Sequence, residues 1–180
     1  MNSTGKIVRF GFLLAVAVLL HYIESLFPLD SFMPGVKLGL ANSVGLLVLC
    51  FYGWKDYFIF GLLRVLLVGL LSTGLFSVAF FLSLSGVLLS SIFTILIYKF
   101  SKCSILGLSV VSSLFHGLGQ VLMVCVIYEN VYMIAYLPFL LSANLVMGVI
   151  LSMIVSSILK RLPKSVYRKY NKDNNEVKNV

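Results

Sequence analysis

The sequence predicts an all-α integral membrane protein with six transmembrane helices in one bundle. Three observations lead there. The chain has 180 residues, 60% hydrophobic and 11% charged, with mean hydropathy +1.05. A soluble domain carries about 25% charged residues, so this chain has too little polar surface to coat a globule in water. Apolar runs near the ~20 residues needed to cross a bilayer recur along it. Lys and Arg gather at alternate connections, as cytoplasmic loops require.

The first helix is expected over Ile7–Phe27. Lys6 and Arg9 precede it as in a signal peptide, but no small-x-small cleavage site follows, so it reads as a retained span. His21 and Glu24 share a face near its end. Pro28–Val36 reads as a loop, and a short second helix follows over Lys37–Tyr52. Gly53-Trp54-Lys55-Asp56 reads as a turn. The third helix, Tyr57–Leu71, carries Arg64 near its middle and is broken by Ser72-Thr73-Gly74. The fourth, Phe76–Tyr98, contains Ser83, Ser85 and Gly86, small enough for close helix contact. The fifth, Ile105–Tyr128, places His116 and Gln120 on one face. Pro138 suits the first turn of the sixth, which runs to about Leu159 with Asn144 and Gly148 on one face. Residues 1–160 thus form the membrane domain and 161–180 a basic tail.

Charge sets the expected topology. Lys6, Arg9, Lys55, Lys99, Lys102 and the Lys160–Lys169 cluster fall on one side of a six-helix chain. Asp30, Lys37 and Glu129 fall on the other. The reading is a multi-pass protein of the cell membrane with both termini cytoplasmic. Phe51, Tyr52, Trp54, Tyr57 and Tyr98 are expected to belt the inner interface, and Tyr22, Phe27, Tyr128 and Tyr136 the outer one.

The same placement accounts for the net charge of +8 without nucleic acid. Cys50, Cys103 and Cys125 stand singly in apolar surroundings and read as small core residues. No metal-ligand spacing and no P-loop pattern occurs, and no cofactor is expected.

Polar side chains inside apolar helices are costly and mark sites. By depth, His21, Glu24, Lys37, Asn42 and Gln120 fall in the outer half, with Arg64, His116 and Asn144 near the midplane. The inner half has no comparable set. That asymmetry predicts a polar pocket open to the outside. Each residue also has a plainer reading. Lys37 can snorkel to the interface. His21 and Glu24 can be ordinary interfacial residues. Asn42 and Asn144 can be interhelical hydrogen-bond partners. Ser83 and Ser85 can bond back to their own helix. Gly117 and Gly119 read better as packing positions. Arg64 is the hardest to dismiss, because its charge persists and costs at least ~2.5–3.5 kcal/mol at mid-depth.

Pro34–Asn42, Leu63-Arg64-Val65-Leu66-Leu67, Ser83-Leu84-Ser85-Gly86, His116-Gly117-Leu118-Gly119-Gln120 and Tyr136-Leu137-Pro138 together resemble the Gx transporter family. That family is also labelled heptaprenyl diphosphate synthase component I and is similar to S components of energy-coupling-factor transporters. The resemblance covers roughly Arg9–Leu159. Gly117 departs from it, since asparagine is usual there. The resemblance implies an S-component-like fold and a non-enzymatic subunit for uptake of a small anionic or amphipathic solute. The expected solute ligands are Glu24, Lys37, Asn42, Arg64, Ser85, His116, Gln120 and Asn144. Implied partners are the lipid bilayer, a coupling membrane subunit and ATPases, docked through Gly11 and Ala15 of the first helix. The alternative it implies is a membrane component of polyprenyl (heptaprenyl) diphosphate synthesis. Condensing allylic diphosphates needs clustered carboxylates to hold Mg²⁺. The six Asp and Glu here are not grouped, so that role would be non-catalytic.

Overall fold

The computed structural model describes residues 3–26, 39–101 and 103–161. Lys37, Asp30 and Phe27, and the tail beyond Arg161, lie outside the described residues. The elements are α1 (Ser3–Leu26), α2 (Leu40–Tyr52), α3 (Trp54–Val68), α4 (Val78–Phe100), α5 (Ile105–Ile127) and α6 (Leu137–Arg161). A π-helical turn, Gly69–Thr73, continues α3, and a 3₁₀ turn, Val131–Tyr136, leads into α6. No strand occurs among the described residues. The fold is the all-α membrane bundle that composition predicts.

Five stretches are long and apolar enough to cross a membrane: Gly5–Glu24, Trp54–Thr73, Val78–Phe100, Ile105–Ile127 and Val131–Arg161. Helix α2 has 13 residues. At 1.5 Å per residue that is roughly 20 Å, short of the ~30 Å hydrocarbon core. It is also the most enclosed element, with every residue from Ser43 to Cys50 buried. Beyond Asn42 and Ser43 it is apolar all round, as suits an inner helix, and it is touched by α1, α3, α5 and α6. Around it, α3 packs on α1 and α4, α4 on α5, and α5 on α6.

Small residues let the outer helices close up. A β-carbon at Gly119 of α5 would lie 2.7 Å from the Ser85 carbonyl oxygen of α4. Ser85 Oγ donates to the Gly119 carbonyl at 3.0 Å across the same seam. Between α5 and α6, a β-carbon at Gly148 would lie 2.9 Å from Val110 Cα. Ser109 Oγ donates to the Gly148 carbonyl there at 2.7 Å. Such small-residue contacts replace the hydrophobic drive that lipid cannot supply.

The helix ends follow local rules. Ser77 caps α4 by accepting from Phe80 N, and Ser104 caps α5 by accepting from Gly107 N. The expected start of the fourth helix at Phe76 moves inward to Val78, because Phe76 adopts φ 64° in the turn before the cap. The loop expected before Pro138 contains the 3₁₀ turn, opened by Asn130 Oδ1 accepting from Tyr132 N.

One end of the bundle carries the basic residues. Lys6 Nζ of α1 meets both carboxylate oxygens of Asp56 in α3 at 2.8 and 2.9 Å. Lys99 Nζ at the end of α4 lies 3.8 Å from the Trp54 ring centroid. The start of α1, the α2–α3 junction and the end of α4 therefore share one face, as an up-and-down chain requires. Leu46, Leu49, Tyr57, Tyr98, Leu108 and Leu159 seal this basic end with a hydrophobic cluster. The aromatic residues expected in the belts divide by burial. Tyr52, Tyr57 and Tyr98 are buried at the basic end and not exposed on its surface, while Trp54, Tyr22 and Tyr128 are exposed. Amphipathic rings suit either setting, and the short α2 draws these three inward. Cys50 is buried as expected; Cys103 and Cys125 are half-buried.

Candidate functional site

A polar cavity opens in the half of the bundle away from the basic end. All six helices contribute to its walls. About 40 Å³ of it is open to the centres of water-sized molecules. One water needs at least ~10–15 Å³ on that measure, so the cavity holds a few.

Arg64 forms part of the floor. It is 7% exposed, and its Nη2 donates to Asn42 Oδ1 of α2 at 2.8 Å. A guanidinium has five N–H donors, so one neutral amide leaves most of its capacity for other acceptors. Among the described residues no carboxylate comes within 4 Å of it. Glu24 lines the same cavity from α1, with His21 beside it. The Glu24 carboxylate accepts from Leu40 N, the first residue of α2. An anion there suits the partial positive charge of a helix N-terminus. Gly39 turns the chain into that helix with φ 71°, a conformation that favours glycine.

Helix α5 presents Ser113, His116 and Gln120 along one face. Gly86 of α4 makes room for the imidazole, since a β-carbon there would lie 2.8 Å from His116 Cε1. From α6, Asn144, Met147 and Leu151 complete the wall. Asn144 is 7% exposed, and its Nδ2 has no hydrogen-bond partner among the described residues. A buried amide left so is unfavourable until something in the cavity accepts from it.

The structure thus brings together Glu24, Asn42, Arg64, His116, Gln120 and Asn144. It does not bring Ser85 with them. The Ser85 hydroxyl bonds to the Leu82 and Gly119 carbonyls in the α4–α5 seam, and Ser83 lines the cavity instead. Lys37 lies outside the described residues. Gly117 and Gly119 serve packing: a β-carbon at 117 would overlap Asn144, and one at 119 would strike α4. Ser113 and Met147 were not singled out by sequence. Their signal was helical spacing, since Ser113 stands three before His116 and Met147 three after Asn144.

A second cavity of about 10 Å³ lies toward the basic end. It shares Asn42 and Arg64 with the first and adds Tyr57, Gly61, Ser90 and Ser91. Nearby Thr94, Ser109 and Ser112 are also buried. This half of the bundle therefore holds more buried polar groups than its sequence led us to expect. No group of three or more His, Cys, Asp or Glu side chains suited to a metal occurs among the described residues.

Gly11 and Ala15 are exposed on α1, and nothing lies within 4 Å of where a Gly11 β-carbon would be. Ala17 faces the other way, fully buried against α2 and α3.

Searches of curated proteins and of solved structures each found no match. The family model described as heptaprenyl diphosphate synthase component I matches residues 13–158, which span the cavity residues from Glu24 to Asn144. The chain therefore belongs to the heptaprenyl diphosphate synthase component I family.

Proposed function

We propose that this protein is a membrane subunit that binds a small anionic or amphipathic solute in the polar cavity and serves its uptake. One observation carries the reading. Arg64, buried in a spanning helix, donates to a neutral amide and shares its cavity with the unpartnered Asn144 amide. Two converging donors with spare capacity suit a carboxylate or phosphate, which a guanidinium can hold in bidentate fashion. Asn42, Gln120, Ser83 and Ser113 in the walls would orient the solute, beside His21, Glu24 and His116. The role is binding, not catalysis. Basic residues at one end support cytoplasmic termini, so the cavity would open outward in the cell membrane. The bare face of α1 around Gly11 and Ala15 is the surface offered to a coupling subunit with its ATPases.

Native mass spectrometry of gently purified protein is the first test, since it reports bound solute and partner subunits together. The second is solute affinity measured beside thermal stability. Arg64→Lys keeps the charge but loses the fork, so it should fold and bind much more weakly. Arg64→Gln should lose binding further. If Arg64→Gln and Glu24→Gln each unfold the protein while the double variant recovers, Arg64 is a structural ion-pair partner and the solute site fails.

The family description also raises a second reading, in which the protein would be a non-catalytic membrane component working beside a prenyl diphosphate synthase. A prenyl-transfer assay with and without this subunit, using a soluble synthase partner, separates the two.

A further inference from the structure

We propose that the Arg64–Asn42 hydrogen bond is a removable partition between two chambers of one polar route, through which the small anion held by Arg64 passes toward the basic end. This rests on the binding reading above and extends it from holding to passage.

The two cavities meet at this bond. Asn42 and Arg64 line both, and the 2.8 Å contact between them spans the boundary. Ser83 belongs to the larger chamber alone, and Ser91 to the smaller one alone. Both lie on α4, so that helix runs from one chamber into the next.

The smaller chamber has a mixed lining, with polar groups set among Tyr57, Phe60 and Val87. Ser90 and Ser91 line it, buried in the bundle interior. Gly61 lets α4 pack close beside it, since a β-carbon there would press to 2.8 Å from Val87 Cγ1. One turn further along α4, Thr94 is completely buried with its Oγ1 unpartnered. A hydroxyl in a spanning helix can bond back to its own backbone, and Ser90 does so to the Val87 carbonyl. Thr94 does not, and it stands just past the residues that line the smaller chamber. With the partition closed, about 10 Å³ accepts at most a single water. A solute could enter only after Arg64 and Asn42 separate and the chambers merge. Beyond them, the Leu46, Leu49, Tyr98 and Leu108 cluster closes the basic end. The arrangement is an outer chamber, a polar partition, an inner chamber and an apolar seal, in that order.

Cysteine accessibility tests this. Cys50, Cys103 and Cys125 are first replaced, and single cysteines are placed at Ser83 and Ser91. Intact cells are treated with a membrane-impermeant, anionic methanethiosulfonate. Ser83→Cys should react quickly and Ser91→Cys slowly. Asn42→Ala should speed the reaction at 91 by about tenfold or more, the effect of deleting a hydrogen bond to a charged group. Asn42→Asp, which adds an ion pair to the partition, should slow it below the parent rate. If position 83 reacts but the rate at 91 ignores both Asn42 variants, the partition is refuted and the binding site stands. If position 83 is itself unreactive from outside, the binding site fails and the passage fails with it.

Discussion

Asn144 Nδ2 of α6 occupies the space where a β-carbon at residue 117 of α5 would be. The glycine is what admits the amide to the cavity. Gly117→Ala should therefore push the Asn144 side chain out of place. The loss of stability should be about 1–3 kcal/mol, the usual range for overpacking, and solute affinity should fall. Adding Asn144→Ala should restore thermal stability but not affinity. Recovery of both would mean that Asn144 plays no part in binding.

Glycines on the two faces of the bundle should respond in opposite ways. A β-carbon at Gly119 meets backbone on α4, at 2.7 Å from Ser85 O and 2.9 Å from Gly86 Cα. Neither atom can rotate aside, so Gly119→Ala should cost about 2 kcal/mol or more. Gly11 has no neighbour within 4 Å. Gly11→Ala should leave thermal unfolding unchanged or raise it, since alanine is favoured over glycine in a helix by about 1 kcal/mol. Equal losses at both positions would show that Gly11 is covered in the membrane.

Glu24 should matter as an acceptor more than as a charge. Its carboxylate receives the Leu40 N–H, and a glutamine carbonyl can do the same. Glu24→Gln should unfold close to the parent temperature. Glu24→Leu leaves that N–H without its acceptor and should cost about 1–3 kcal/mol. If the two variants lose equally, the negative charge itself holds the start of α2.

Topology is open to labelling. Single cysteines at Ser3, Ser101 and Asn130 should divide, with positions 3 and 101 reached from one side and 130 from the other. The Lys6–Asp56 pair and the Lys99–Trp54 stack already set the first two regions on one face. Cytoplasmic termini require that an impermeant reagent outside intact cells reach 130 alone.

Much of this was legible in the sequence, for reasons that differ by residue. Arg64 stood out because no other ionisable group lies between Tyr57 and Leu71, and charge in a span needs a cause. His116 and Gln120 were paired by helical spacing alone. Ser85 was drawn into the site because a serine hydroxyl says nothing of which seam it serves. The bond to Gly119 across α4 and α5 decides that, and it is a tertiary fact. The type of Tyr57 and Tyr98 points to an interface but not to burial, which comes from packing against α2. The buried hydroxyls at Ser90, Ser91 and Thr94 gave no signal, since serine and threonine in such helices often satisfy themselves.

Helix α1 is fastened at its two extremities and bare between them on its outer face. Lys6 grips Asp56 at one end, and Glu24 grips the head of α2 at the other. Ala17 seats the middle against α2 and α3. Load applied along the bare face passes to α2 and α3 through that packed middle and through the two anchorages. One delivers it to the first turn of α3, the helix that carries Arg64. The other delivers it to the first residue of α2, two positions before Asn42. A push on α1 is thus passed to the two helices that the Arg64–Asn42 hydrogen bond joins.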